Sequence, residues 1–162
     1  MSLEQTLGPA PQTVWYEDLE VGDRFVSTAG ISVSEADIID FARRFDPQPR
    51  HIDPVAAKDS LLAGLVASGW HTAAITMRLL LQVGLPIGDG LIGAGARLDW
   101  PTPTRPGDEL FLELVVTSKR LSRGKPDRGV ITVEYDTRNQ RGELRQHTRL
   151  SLVALRRPDP SV

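Results

Sequence analysis

The 162-residue chain contains no cysteine, which excludes a disulfide framework and any thiolate metal site. It also lacks a strong charge of either sign. Nineteen Lys+Arg stand against 21 Asp+Glu, and a nucleic-acid module normally carries a marked basic excess. Long hydrophobic runs are missing too. The most apolar stretch, Trp70 to Val83, is broken by His71, Arg78 and Gln82 and is too short to span a bilayer. The opening Met1-Ser2-Leu3-Glu4-Gln5 has neither a basic region nor an apolar one, so no export signal is expected and a cytoplasmic location is. The three histidines (His51, His71, His147) leave only a carboxylate-rich metal site open, no clustered spacing for one is present, and none is expected.

What is present is an ordinary globular balance, 40% hydrophobic and 25% charged. That length and balance suit one core in one domain. Residues 1–14, with Gly8, Pro9 and Pro11, read as a flexible segment; residues 15–155 read as the domain and 156–162 as a tail.

Ser34 followed by Asp37 is a capping box, and Ile38, Phe41, Ala42 and Phe45 then recur at helical spacing. Pro47 and Pro49 are expected to stop that helix. Asp53-Pro54 signals a second, short helix through about Ser60. A third runs from near Ser68 to about Val83 and is apolar on nearly every side, which belongs in the middle of a protein. The second half alternates at strand period over about 91–99, 109–119, 129–138 and 143–154, with a hairpin at Asn139-Gln140-Arg141-Gly142. An early strand is expected at about 23–33. One buried helix, several long strands and no alternating βαβ units predict an α+β fold: a curved antiparallel sheet wrapped around a central helix. Such a sheet is expected to pair with a second copy.

Chemistry is concentrated in Asp46-Pro47-Gln48-Pro49-Arg50-His51-Ile52-Asp53. A carboxylate and an imidazole stand five residues apart in a proline-stiffened segment, a spacing that suits a general acid/base pair. Equally, Asp46-Pro47 is a plain helix stop and His51 a buried polar group. Ser68-Gly69 opens the buried helix, where unpaired N–H groups suit a developing oxyanion; it is also a simple cap and turn. His71 reads as a packed helix residue. Gly88-Asp89-Gly90-Leu91-Ile92-Gly93 matches GxGxxG in form only, because a helix precedes it and a strand follows. Its glycines, with Gly95, are expected to let the strand pass close to the central helix. Arg120, Arg123, Lys125 and Arg128 share one loop, either a solvated hairpin tip or a seat for the phosphates of a carrier.

These blocks resemble the MaoC-like dehydratase family, which contains the R-specific enoyl-CoA hydratases. Asp46 to Asp53 is similar to the hydratase motif D-x-N-P-x-H-x-D, with Gln48 in place of the asparagine. Ala67-Ser68-Gly69-Trp70-His71-Thr72, Pro103-Thr104-Arg105-Pro106-Gly107-Asp108 and the hairpin at 139–143 resemble further family blocks. The resemblance implies a single hot dog fold and at least a homodimer. It implies reversible addition of water to a trans-2-enoyl thioester, giving an R-3-hydroxyacyl thioester. Asp46 and His51 are then the catalytic pair, with Ser68 and the Gly69 N–H at the thioester carbonyl. Gln48, Arg50, Arg123 and Lys125 are candidate substrate contacts. No cofactor is implied beyond the coenzyme A or phosphopantetheine of the substrate. Arg50 departs from the family's usual apolar residue. It either lowers the pKa of Asp46, faces solvent, or recognises a carboxylated acyl group. A thioesterase and a non-catalytic partner subunit are the alternatives on this fold.

Overall fold

The computed structural model describes residues 14–83, 85 and 90–158. Most of the expected lead-in, Gly88-Asp89, and residues 159–162 of the expected tail lie outside the described residues. Val14 already packs against the core. At the other end, Arg156 donates to Glu17 Oε1 at 2.8 Å and Arg157 to Asp18 Oδ1 at 2.6 Å.

Two short strands come first, β1 (Arg24–Val26) and β2 (Ile31–Ser32). The single strand expected over 23–33 is therefore two pieces, both paired with the same partner strand. Between them the Ser27 hydroxyl accepts a ladder N–H, from Leu112 at 2.9 Å. Helix α1 (Glu35–Phe45) starts on the predicted capping box: Ser34 Oγ accepts from the Asp37 N–H, and Asp37 Oδ2 from the Ser34 N–H.

The next segment corrects the sequence reading. Pro49 does not merely end α1; it occupies the first turn of α2 (Pro49–Ile52), where its missing N–H costs nothing. The helix expected from Asp53 is instead a 3-10 turn at Ala56–Asp59. Its N-cap is Val55 and not Asp53, although Asp53 Oδ1 accepts from the Val55 and Ala56 N–H at 2.9 and 3.1 Å. Helix α3 (Gly69–Gln82) follows, with Ser68 as its N-cap. Four long strands complete the chain: β3 (Ile92–Asp99), β4 (Glu109–Leu121), β5 (Arg128–Asn139) and β6 (Leu144–Leu155).

The strands form one antiparallel sheet in the order β1-β4-β5-β6-β3, with β2 also on β4. Its inner face buries Leu110, Leu112, Leu114, Val116, Ile131, Val133, Leu150 and Leu152 against Leu79 and Leu80 of α3 and Ile38 of α1. This is the hot dog arrangement that the resemblance implied. His71 is packed as expected, stacked on Phe41 with ring centroids 4.6 Å apart.

Two expectations about burial fail within one chain. Helix α3 is not covered on every side: Trp70, Met77 and Leu81 are exposed. Strand β3 is exposed along nearly its whole length. Nor do its glycines press against α3. The register slips by one residue between Gly93 and Gly95, and a side chain at Gly95 would meet nothing within 4 Å. The glycines make a bulge instead. Among the described residues no helix is long and apolar enough to cross a membrane.

Candidate active site

The end of α1, the short α2 and the start of α3 converge on a cavity of about 410 Å³. Asp46 is the residue at which α1 stops, its N–H still bonded to Ala42 O at 2.9 Å. His51 lies on α2 and is buried. The chain reversal at Pro47-Gln48-Pro49 brings the two side chains together: His51 Nε2 stands 3.6 Å from Asp46 Oδ2.

The imidazole has a defined hydrogen position. Its Nδ1 lies 2.7 Å from Val66 O, and a carbonyl only accepts, so the proton is on Nδ1. In the neutral ring Nε2 therefore carries a lone pair, aimed toward the carboxylate. Two acceptors face each other across a gap too long for a direct hydrogen bond.

Asp46 is held from both sides. Ser68 Oγ donates to its Oδ2 at 2.6 Å and Gln48 Nε2 to its Oδ1 at 2.6 Å. Burial alone raises a carboxyl pKa. These two hydrogen bonds, with His51 and the Arg50 guanidinium nearby, outweigh it and hold Asp46 below the usual carboxylate value. Replacing Ser68 by alanine removes one of these donors and should raise the Asp46 titration midpoint, read by carboxyl-carbon NMR. The same variant loses the cap that accepts from Trp70 N–H, at about 1 kcal/mol of stability. An unchanged midpoint would mean that the hydroxyl does not set the carboxylate's charge.

Gly69 follows Ser68 as the first residue of α3, where the helix has no acceptor for its N–H. A side chain is impossible there without rearrangement: a Cβ on Gly69 would stand 2.8 Å from the Trp100 ring. Trp100 is fixed in turn by its Nε1, which donates to the buried Gln146 Oε1 at 2.8 Å. Trp70 meets it edge to face, with centroids 5.4 Å apart.

The cavity thus gathers Asp46, Gln48, Arg50, His51, Ser68 and Gly69, six of the eight residues singled out in the sequence. It does not gather Arg123 and Lys125. They lie in the β4–β5 hairpin, and the length of β4, roughly 40 Å of strand, separates them from the end of the sheet that carries the site. Arg128 of the same cluster pairs with Asp127 at 2.6 Å. Within one chain they take no part in this cavity. Sequence reasoning missed Trp100, Thr104 and Arg145 in the wall. Trp100, an aromatic between a strand and Pro101, was the one legible signal. Arg145 had none. The β5–β6 register slips at Thr137/Arg138, which makes Arg145 the extra residue of β6 and turns it inward against strand period.

A curved antiparallel sheet wrapped on a central helix defines a hot dog protein. The chain belongs to the MaoC like domain family, whose match covers residues 18–139. It is 36% identical over 128 residues to the uncharacterised protein YdeM of Bacillus subtilis, covering 77% of this chain and 87% of that one. Among solved structures, a MaoC-like dehydratase from Rhodospirillum rubrum superimposes with a TM-score of 0.86 at 55% identity, over 90% of this chain and 99% of the other. An R-hydratase, PhaJ1 of Pseudomonas aeruginosa, superimposes with a TM-score of 0.70 at 27% identity, over 90% and 88%.

Proposed function

We propose that this chain is a hydro-lyase that adds water reversibly to a trans-2-enoyl thioester and yields the R-3-hydroxyacyl thioester. Coenzyme A or a carrier protein's phosphopantetheine arm is the substrate's handle, and the reading needs no further cofactor. The observation that carries it is the pair of facing acceptors, His51 Nε2 and Asp46 Oδ2, 3.6 Å apart beside the Gly69 N–H. A water in that gap donates one hydrogen to each and presents its oxygen lone pair to the cavity. As that oxygen bonds to C3, the C2–C3 π electrons move toward the thioester carbonyl. The oxygen of that carbonyl gains negative charge, which the Gly69 N–H at the positive end of α3 stabilises. The Asp46/His51 pair takes the water's proton and returns one to C2, so atoms and charge balance over the cycle.

Purified protein with crotonyl-CoA, a longer enoyl-CoA and a carboxylated enoyl-CoA tests this through loss of enoyl-thioester absorbance, with the product's configuration determined. R-3-hydroxyacyl product is expected. Release of free thiol would indicate a thioesterase. Folded protein that turns over no enoyl thioester would end the hydratase reading.

The proposed assembly is a homodimer formed over the exposed face of α3 and the free edge of β3. Trp70, Met77 and Leu81 give that face its apolar character, and β3 has backbone groups left to pair. Leu81→Asp puts a charge into that face and should convert a dimer into monomer by sedimentation. A wild-type chain that sediments as a monomer at high concentration would refute the interface.

A further inference from the structure

Two guanidinium groups line the cavity, and they are in opposite situations. Arg145 is spent. It is buried, donates to Asp108 Oδ2 at 2.9 Å, to Glu143 Oε2 at 2.8 Å and to Thr102 Oγ1 at 2.9 Å, and its charge is balanced. Arg50 is not. Its one side-chain hydrogen bond runs from Nη2 to Gln48 Oε1, and among the described residues no carboxylate lies at ion-pair distance. Its remaining N–H groups are open to a ligand. An unpaired guanidinium at the wall of a binding cavity is suited to an anionic oxygen pair, which it grips with two parallel hydrogen bonds.

That anion has two sources in an acyl thioester: a carboxylate on the acyl chain, or a phosphate of the carrier. Position decides between them. Arg50 bonds Gln48, and Gln48 bonds Asp46 Oδ1 at 2.6 Å, so the guanidinium is two hydrogen bonds from the reacting pair. The carrier's phosphates stand at the far end of the pantetheine arm from the thioester. A group that meets Arg50 while C2 and C3 meet Asp46 and His51 must therefore belong to the acyl chain. Gln48 contributes by occupying one guanidinium N–H and fixing the direction of the others.

We propose that the cavity takes thioesters of unsaturated dicarboxylic acids, and that Arg50 binds their free carboxylate and sets this preference over unsubstituted enoyl chains. The inference rests on the hydratase reading for its reaction but not for its binding. The test accordingly measures binding first.

Succinyl-CoA and butyryl-CoA share a four-carbon chain, and glutaryl-CoA and valeryl-CoA a five-carbon one. Each pair differs chiefly in the terminal carboxylate, and none needs turnover. Titration calorimetry on the wild type should show the carboxylated member of at least one pair binding roughly tenfold or more tighter, the size expected of a hydrogen bond to a charged group. In Arg50→Leu that ratio should collapse toward one, and Arg50→Lys should restore part of it. A ratio near one in both pairs for the wild type overturns the proposal. So does equal weakening of both members in Arg50→Leu, because Arg50 then acts on the carrier or through Gln48 on Asp46. Discrimination that depends on Arg50, in a protein that hydrates no enoyl-CoA, would defeat the hydratase reading and leave this one standing.

Discussion

Asp46→Asn is expected to lower the rate of enoyl-CoA hydration by roughly a hundredfold or more, the loss typical of deleting a general base. The substitution is nearly isosteric, and the local hydrogen bonds can be kept. Gln48 Nε2 still finds an oxygen at the Oδ1 position, 2.6 Å away. At the Oδ2 position the new NH2 donates either to Ser68 Oγ, a hydroxyl able to accept as well as donate, or to His51 Nε2. What is lost is the acceptor for the water's proton, and the NH2 also competes for the lone pair of His51. Activity should therefore fall while thermal unfolding changes little. Full activity in a folded Asp46→Asn variant would remove Asp46 from the role of base.

The largest effect on stability should come from the other end of the cavity. Asp108 is almost wholly buried between β2 and the β5–β6 hairpin, and Arg145 is its principal partner. Breaking a buried ion pair from one side costs about 3–5 kcal/mol, because the surviving charge is left desolvated. In Arg145→Ala, Asp108 keeps Asn139 Nδ2 and the Arg105 N–H, each at 2.9 Å, and the half-exposed Arg141 at 3.2 Å. The loss should fall near the lower end, about 3 kcal/mol, or a fall in Tm of about 6–12 °C for a chain of this size. Protein concentration must be fixed, since the proposed dimerisation would shift Tm.

The pH dependence of that loss has a definite sign. Burial pushes the Asp108 carboxyl up, but the Arg105 N–H, Asn139 and Arg145 together hold it below its ordinary value of 3.8. A depressed carboxyl stabilises the fold at pH above 3.8, and this contribution disappears as pH falls through the still lower folded value. The wild type should keep this stabilisation through pH 4. Arg145→Ala weakens the depression, so its acid loss should be smaller and complete at higher pH, and the Tm difference between the two proteins should shrink as pH falls below 3.8. Equal Tm values for wild type and variant at pH 7 would show that the pair is energetically neutral.

Where the chain starts and stops a helix was legible because those signals are local. Ser34 with Asp37, and Ser68 before Gly69, satisfy N–H groups within three residues, and both caps stand in the structure. The four long strands lie within two residues of their expected bounds, because period-2 alternation records which face meets the core. The Asp46/His51 spacing identified the pair, and six of the eight named site residues meet in one cavity.

The remainder depends on register and on partners distant in sequence. Pro49 carries the same local sign whether it ends one helix or opens the next; only the tight reversal after Asp46 decides. Arg145 alternates outward in sequence, yet one bulge at Thr137/Arg138 turns it onto Asp108, 37 residues away. Trp100 reaches Gly69 because β3 pairs with β6, which no local pattern encodes. Arg123 and Lys125 looked like companions of the site until β4 carried them to the opposite end of the sheet. Sequence by itself determined the four long strands, the caps of α1 and α3 and the Asp46/His51 pairing, since those follow from neighbours along the chain. Tertiary structure alone decided which charges are spent and which are left open, because a guanidinium's partners are set by strand register and not by the residues beside it.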